Sequence, residues 1–391
     1  MASIFNALNI GYTGLNAAQV GINTTGHNIA NAEVDGYTRQ RVIASAATPI
    51  TSEAGNVGNG VEIQTIKRVF DNFVYDRYTD TYAQKEYTDF EKLTLEQLST
   101  YFPEIDAVGV KADLQEYYNM WQTFADNPDN SAIKLALAKQ TEILSDHIKY
   151  TQDQVTTLQS QLNDQIYSSI NEVNSLAKQL TEINKSISIA ETDGAYSAND
   201  LRDKRNVIER TLSRIIGAEA LVGLVESNTT IDSSSNIASG SYSLSVSGFN
   251  IVDGGTFHPI HISNADNANG FYELSYERQD GKLIPMDEKI NGGKIGAILE
   301  LRGSKIEEDS GGVPTNGTLQ KVVSELDAFA KTMIESTNNL YASGATTSMQ
   351  SNTVDLNDSD ILINSNLNIK EGSFDIVIYD IDGNESARRI R

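Results

Sequence analysis

The longest regular pattern in this 391-residue chain is a series of apolar residues between positions 155 and 187. Nine steps of three or four residues cover 32 positions, about 3.6 residues per step, which is the period of one helix face. The series comprises Val155, Leu158, Leu162, Ile166, Ile170, Val173, Leu176, Leu180, Ile183 and Ile187. Polar residues fill most of the positions between them. The pattern therefore predicts a long amphipathic helix of the kind that builds a helical bundle.

Shorter helical patterns lie on both sides of this series, over residues 71–98, 110–125, 201–216, 294–301 and 318–340. Pro103 and Pro128 follow the first two of these patterns, as expected where a helix cannot continue. Ser131 is predicted to cap the helix that follows Pro128. The dipeptide Asp193-Gly194 is predicted to end the long helix, and Gly217 to close the next one.

Strand patterns fill much of the remaining chain. Val61, Ile63 and Thr65 alternate after a Gly-Asn-Gly turn. Alternation returns at 242–246 and 260–262, and the apolar and aromatic run 271–276 leads to an Asp-Gly pair at 280–281, so residues 218–290 are predicted to be a β-rich insertion. Phe374, Ile376 and Ile378 precede a second turn sequence at 382–384. Because the chain reaches Arg391 inside the following strand, we expect it to be part of a longer protein.

These patterns predict an α+β multidomain fold. It would combine an N-terminal coiled-coil-type helix, an elongated α-helical bundle trunk and β-rich inserted domains. The predicted domains are the N-terminal helix with its following motif, the helical trunk with a short β segment, the β-rich insertion, the returning trunk helices and the start of a second β domain. They cover residues 1–45, 46–217, 218–290, 291–343 and 344–391, respectively.

The first thirty residues carry two interleaved heptad series. We call them together the heptad seam: Ile4, Leu8, Gly11, Leu15, Ala18, Ile22, Thr25 and Ile29. Large residues in one series and mostly small ones in the other allow helices to approach closely. Gly11, Gly14, Gly21 and Gly26 each cost a helix about 1 kcal/mol relative to alanine. The segment is therefore predicted to be unstable as a lone helix and to need other helices on its seam. An ordinary helix packed on its own domain is the alternative.

Composition excludes several classes of function. The net charge is −23, and so acidic a surface repels nucleic acid and anionic lipid. There is no cysteine, which excludes disulfides, thiolate catalysis and cysteine-bound metals. No apolar run approaches the roughly 20 residues of a membrane helix. The N-terminus also lacks the basic and apolar regions of a Sec-type signal, which leaves other export routes open.

No pattern in the sequence predicts a catalytic, cofactor or metal site. His258 and His261 would face opposite sides of a strand, which is poor geometry for a shared metal. A calcium-like run begins at Asp355, but Asp360 stands where a calcium loop needs glycine and Asn366 stands where it needs glutamate. Phosphate-loop, dinucleotide and nucleophile-elbow motifs are absent from the sequence.

A short motif follows the heptad seam. It reads Asn28-Ile29-Ala30-Asn31 and then Gly36-Tyr37-Thr38-Arg39. Together with the preceding helix, this motif resembles the flagellar axial proteins, the rod, hook and hook-associated families. Rod and hook members usually carry T-x-G-Y, whereas this chain has V-x-G-Y-T-R-Q, which is more similar to the hook-associated protein 1 branch. The segments 199–217 and 292–302 also resemble that branch.

The resemblance implies a structural role. It implies a self-assembling, exported protein that forms a ring layer of its own copies at the junction of flagellar hook and filament. Its partners would be hook protein, a second junction protein and a type III export chaperone, with no nucleic acid and no membrane insertion. The family also closes with a second heptad helix, which is not present in these 391 residues.

The residues suggest roles within the motif. Gly36 is predicted to supply a positive-φ turn, Tyr37 to anchor that turn on a neighbouring group, and Arg39 to meet an acidic or carbonyl-rich surface. Asn28 and Asn31 are expected at the fraying end of the helix.

Three other functions stay open. A hook or distal-rod protein is the alternative within the family, although the helical block at 84–216 is unlike the β-rich region of hook protein. A secreted adhesin or scaffold with a helical stalk and β head would account for the β segments. It would leave the motif between Asn28 and Arg39 unexplained. An enzyme has no sequence feature in its favour.

Overall fold

The computed structural model of the chain describes residues 2–52, 55–103, 108–192, 197–223, 242–265, 267–278, 280–307, 310–342, 374–379 and 385–390. The chain divides into two compact units, Met1–Met333 and Ile334–Arg391. Helices and small antiparallel sheets alternate along the chain, so the predicted α+β class is confirmed. Among the described residues, no helix is both long and apolar enough to cross a bilayer.

The helices agree closely with the sequence patterns. They are α1 (Ala2–Ala30), α2 (Asn72–Ser99), α3 (Val110–Asp126), α4 (Ser131–Ala190), α5 (Asn199–Ile216), α6 (Gly293–Arg302) and α7 (Thr318–Ala342). The pattern at 155–187 and the helix predicted after Pro128 prove to be one continuous element, α4. Its predicted cap at Ser131 is wrong. The cap is Asn130, whose side chain accepts hydrogen bonds from the amides of Ala132 and Ile133. The predicted stop at Asp193-Gly194 lies outside the described residues.

The strands form five small antiparallel sheets within the described part of the chain. Their bounds are β1 (Gln40–Ala46), β2 (Ile50–Ser52), β3 (Gly55–Val57), β4 (Val61–Arg68), β5 (Glu219–Val222), β6 (Tyr242–Val246), β7 (Phe249–Asp253), β8 (Thr256–Phe257), β9 (Ile260–Ser263), β10 (Glu273–Glu277), β11 (Leu283–Pro285), β12 (Phe374–Tyr379) and β13 (Glu385–Ile390). The sheet orders are β1-β4, β2-β3, β5-β6-β7-β8, β11-β10-β9 and β12-β13. Strand β1 crosses the predicted domain boundary at 45/46 and pairs along its whole length with β4.

Helix α4 forms the centre of the main core. Eight of its ten predicted periodic residues are buried, and Leu176 and Ile183 are partly buried. All of them except Ile183 and Ile187 pack in one cluster with residues of α2, α5, α6 and the β-rich segment, among them Leu98, Leu212, Leu244 and Ile298. A second, smaller core lies between α3, the first part of α4 and α7, around Tyr117 and Leu144. Burial of a continuous apolar face accounts for the length of α4, since packing rather than propensity stabilises most helices.

Three asparagines of α4 fasten the β-rich segment to the helix. Asn174 bonds both backbone groups of Ile260. Asn163 donates to the carbonyl of Gly270 and accepts from the amide of Tyr272. Asn184 donates to the carbonyl of Gly254. These positions are ten or eleven residues apart, about three helical turns, so they lie along one side of α4. In the sequence pattern they are only polar positions between apolar ones.

A buried arginine at the end of α6 bonds to one of these asparagines. The side chain of Arg302 is fully buried and donates to Asn163 Oδ1 at 2.5 Å and to the carbonyl of Tyr272 at 3.0 Å. Burying a charge is costly unless the charge is hydrogen-bonded. Arg302 therefore ties α6, α4 and the approach to β10 together at one point.

We predict that α4 is the element on which the stability of unit Met1–Met333 depends. Ile170 is 0% exposed and Ile189 is 77% exposed on the same helix. Ile170→Ala is expected to lower the free energy of unfolding by about 2–5 kcal/mol, because it leaves a cavity. Ile189→Ala is expected to change it by less than about 0.5 kcal/mol. Urea denaturation followed by circular dichroism measures both, and equal losses for the two variants would contradict a core centred on α4.

Candidate assembly site

Helix α1 contacts its own chain through a stripe of small and polar residues. This docked stripe comprises Thr13, Ala17, Val20, Thr24 and Asn28, all partly or fully buried. The Thr13 hydroxyl accepts a hydrogen bond from the amide of Val61, near the turn end of the β1-β4 pair. A Cβ on Gly60 would lie 2.2 Å from Thr13 Oγ1, so glycine is needed for the helix to come this close. The stripe thus lies against the β1-β4 ladder.

The heptad seam points away from that ladder. Ile4, Leu8, Leu15, Ile22 and Ile29 are between 66% and 75% exposed. The small members Gly11, Ala18 and Thr25 are exposed as well. With 3.6 residues per turn, the seam and the docked stripe lie on nearly opposite sides of α1. The helix therefore buries its polar side within the chain and leaves its apolar side in solvent.

Asn28 joins the end of α1 to the start of β1. Its side chain donates to the carbonyl of Gln40 and accepts from the amide of Gln40, both at 2.8 Å. The amide thus pairs with β1 as a neighbouring strand would. The same Oδ1 accepts from the Tyr37 hydroxyl at 2.7 Å. One side chain therefore fixes both ends of the segment between helix and strand, a role that the sequence analysis did not predict.

Gly36 and Tyr37 shape the turn between these ends. Gly36 has φ +80°, as predicted, and a Cβ there would lie 2.2 Å from Val207 Cγ2 of α5. The ring of Tyr37 packs edge-on against His27, with centroids 5.4 Å apart. Partial burial, with Asp200 and Asp203 nearby, raises the pKa of Tyr37. The shift favours the neutral hydroxyl, which donates to Asn28. The group on which Tyr37 anchors the turn is in its own chain.

The other two motif residues contact little else. Among the described residues, the side chain of Asn31 bonds only to the backbone carbonyl and ring of His27, one helical turn earlier. Arg39 is exposed, and its carbonyl accepts from the amide of Val69. No ion pair of the Arg39 side chain occurs with the described residues. The predicted contact of Arg39 with an acidic surface stays a prediction.

The residues considered for metal binding do not form a site in the described ranges. His261 pairs with Glu277 at 2.7 Å, while His258 is buried beside Tyr276. Across the part of the chain that the structure describes, no cluster of three histidine, aspartate or glutamate side chains could hold an ion. The calcium-like run from Asp355 lies outside those ranges.

Comparison with protein families identifies the chain. Residues 95–355 match the family model described as the helical domain of flagellar hook-associated protein FlgK. The chain belongs to the FlgK family. Residues 8–38, which contain most of the seam and motif, match the flagella basal body rod protein family. The N-terminus is therefore similar to that of rod proteins, and the helical region decides for the hook-associated branch over the hook and rod alternatives.

Relatives of the chain carry the same family name. Flagellar hook-associated protein 1 of Salmonella typhimurium is 28% identical over 328 residues, covering 82% of this chain and 55% of the relative. The Escherichia coli protein is 28% identical over 311 residues, covering 77% and 53%. The Bacillus subtilis protein is 25% identical over 362 residues, covering 89% and 69%. The chain thus spans about half the length of the enterobacterial relatives it matches.

One solved structure is also similar. The flagellar hook junction protein FlgK from Burkholderia pseudomallei aligns with a TM-score of 0.46 at 18% identity, covering 57% of this chain and 38% of that chain.

We predict that Asn28, unlike Asn31, holds the start of β1 in place. Asn28→Ala leaves both backbone groups of Gln40 without their partner, which costs about 1–3 kcal/mol when such groups are buried. The amide of Gln40 is therefore expected to exchange with solvent at least tenfold faster. Asn31→Ala is the matched control, because the Asn31 side chain contacts His27 and not Gln40. Hydrogen exchange followed by NMR measures both, and an unchanged Gln40 amide in Asn28→Ala would disprove the role of Asn28.

Proposed function

We propose that this chain is a self-assembling structural component of the bacterial flagellum, located in the ring layer that joins hook to filament. The observation that carries the proposal is the orientation of α1, which docks its polar stripe on β1-β4 and leaves the heptad seam in solvent. The family name and the names of the relatives support the flagellar setting. We assign it a structural role, without catalysis or a cofactor.

The exposed seam accounts for assembly in physical terms. Fully burying a leucine or isoleucine side chain gains about 1.5–3 kcal/mol relative to exposure. The seam presents five such residues in heptad spacing, which suits knobs-into-holes packing with other helices. A Cβ on Gly11 would meet nothing within 4 Å in this chain. The single chain therefore gives no reason for glycine there, whereas a closely packed neighbouring helix would.

The proposed partners follow from this location. Copies of the chain would pack α1 helices side by side in a ring, with hook protein on one side and a second junction protein on the other. The protein would reach the outside of the cell through the flagellar type III route, with an export chaperone. The acidic trunk, within a chain of net charge −23, would face solvent and limit association to the seam.

The first test is a charge on the seam. Leu15→Asp and Ile22→Asp are expected to reduce the number of attached filaments at least tenfold, because a buried unpaired carboxylate opposes helix packing. Asn16→Asp is the matched control, since it adds the same charge to an exposed residue of α1 outside the seam. Filament counts by electron microscopy, with circular dichroism of the purified chains, measure the effect. Normal filaments on the seam variants would refute the role of the seam.

The second test is deletion of the gene. Cells without the protein are expected to build hooks but to release filament subunits into the medium, because the layer on which the filament grows is missing. Immunoblots of the medium and electron microscopy of purified hooks measure both outcomes. Full-length attached filaments in the deletion strain, or loss of the hook itself, would contradict a position at the junction.

A further inference from the structure

One face of α5 receives the motif and its flanking strands. Residues 199, 200, 203, 207 and 210 lie on this face, spaced by one to four positions. Each contacts a group between positions 35 and 68. We call this face the α5 platform. It connects the N-terminal part of the chain with the helical core.

Asp203 is the central contact of the platform. Its Oδ2 accepts from the amide of Thr38, inside the motif, at 3.0 Å. Its Oδ1 accepts from Arg68 Nη1, at the end of β4, at 2.7 Å. The side chains of Arg68 and Asp203 are each only 9% exposed. One buried carboxylate thus holds both chain segments that connect α1 and the β1-β4 pair to the trunk.

Weaker contacts surround Asp203 on the platform. Asp200 accepts from the Gln40 side chain at 3.1 Å, but 69% of the Asp200 side chain is exposed. Arg210 forms an ion pair with the exposed Asp35. Exposed pairs of this kind contribute little, because water and salt screen them. The buried pair differs, since removal of one charge leaves the other without a partner in a dry site.

The opposite side of α5 is fixed in the trunk. Leu212 and Ile216 are completely buried in the main core. Arg202 forms two hydrogen bonds with Glu191, at the end of α4, at 2.7 and 2.6 Å. The platform is therefore a rigid part of the trunk. The motif and strands that contact it are held in a fixed orientation relative to the trunk.

We propose that Asp203 is the positioning residue that sets the direction of α1 relative to the trunk. Asn28 fixes the motif to α1, and Asp203 fixes the same motif to α5, so the two side chains act in series. This inference rests on the proposed function for its consequence. Copies in a ring must present their seams at one common angle, because each seam packs only against correctly aligned neighbours.

The direct test measures the orientation in the isolated chain. The chain contains no cysteine, so spin labels can be attached to two introduced cysteines, one at the exposed Asn16 of α1 and one at the exposed Glu172 of α4. Pulsed electron resonance is expected to give one narrow distance distribution in the otherwise unchanged protein. Asp203→Ala is expected to widen it at least twofold. Asp200→Ala, which removes an exposed carboxylate of the same platform, is expected to leave it unchanged.

A second variant separates positioning from folding. Asp203→Ala leaves Arg68 buried without its partner, whereas Arg68→Met combined with Asp203→Leu removes both charges and the bond to Thr38. For this double variant, circular dichroism and thermal unfolding are expected to show a folded trunk. Pulsed electron resonance is expected to show a widened distance distribution. A distribution as narrow as that of the unchanged protein would overturn the proposal. Loss of trunk helicity in both variants would overturn it too, because Asp203 would then be a folding residue.

The consequence for assembly is tested in cells with the same variants. Attached filaments are expected to fall at least tenfold for Asp203→Ala at an unchanged exported amount, and to stay normal for Asp200→Ala. Normal attachment with a widened distribution would refute the positioning role in assembly. It would leave the proposed function intact, because the seam variants and the gene deletion test that separately.

Discussion

The structure of the main unit depends on the buried face of α4. A helix of 60 residues is stable only if packing stabilises it along its length, and here α3, α5, α6 and the β-rich segment pack against it. The apolar side of α4 meets α2, α5, α6 and the β-rich segment, while three asparagines on another side bond to backbone groups of the strands. The β segment is thus an appendage of the helix. Its small sheets have few strands of their own and rely on α4 for both apolar and polar contacts.

The N-terminal part follows a different rule. Within its own chain, α1 is held by hydroxyls, small side chains and the Asn28 amide rather than by its large apolar residues. A helix that kept its leucines and isoleucines inside would have nothing left for a partner. The polar contacts therefore orient the helix within its own chain. Most of its apolar surface stays available for packing against other helices. Asp203 extends the same logic, since a directional pair of hydrogen bonds fixes an angle better than a nondirectional apolar contact does.

How much could be predicted is clearest from particular residues. The apolar series Val155–Ile187 and the pattern around Gly217 predicted the correct helices, because periodicity and C-caps are local properties. Ser131 was predicted in place of the adjacent Asn130 because both are good cap residues and only the backbone angles decide. The roles of Asn163, Asn174 and Asn184 do not follow from the sequence, because their ten- and eleven-residue intervals show a shared side of the helix but not what lies against it. Strand β1 was missed because Gln40–Ala46 shows no clean alternation, and its pairing with β4 is a long-range contact.

The sequence by itself determined that the chain has a long core helix, a terminal heptad seam and a Gly-Tyr-x-Arg motif of the axial proteins. These are periodic or contiguous features, and each follows from the geometry of a single element. Only the tertiary structure decided which side of α1 faces solvent and which residue joins the motif to the trunk. Asp203 and Thr38 are 165 positions apart, so the contact between them depends on how α5 packs in the folded chain. Local sequence patterns specify the helices and strands. Their relative directions depend on hydrogen bonds and ion pairs between buried groups that are far apart in the sequence.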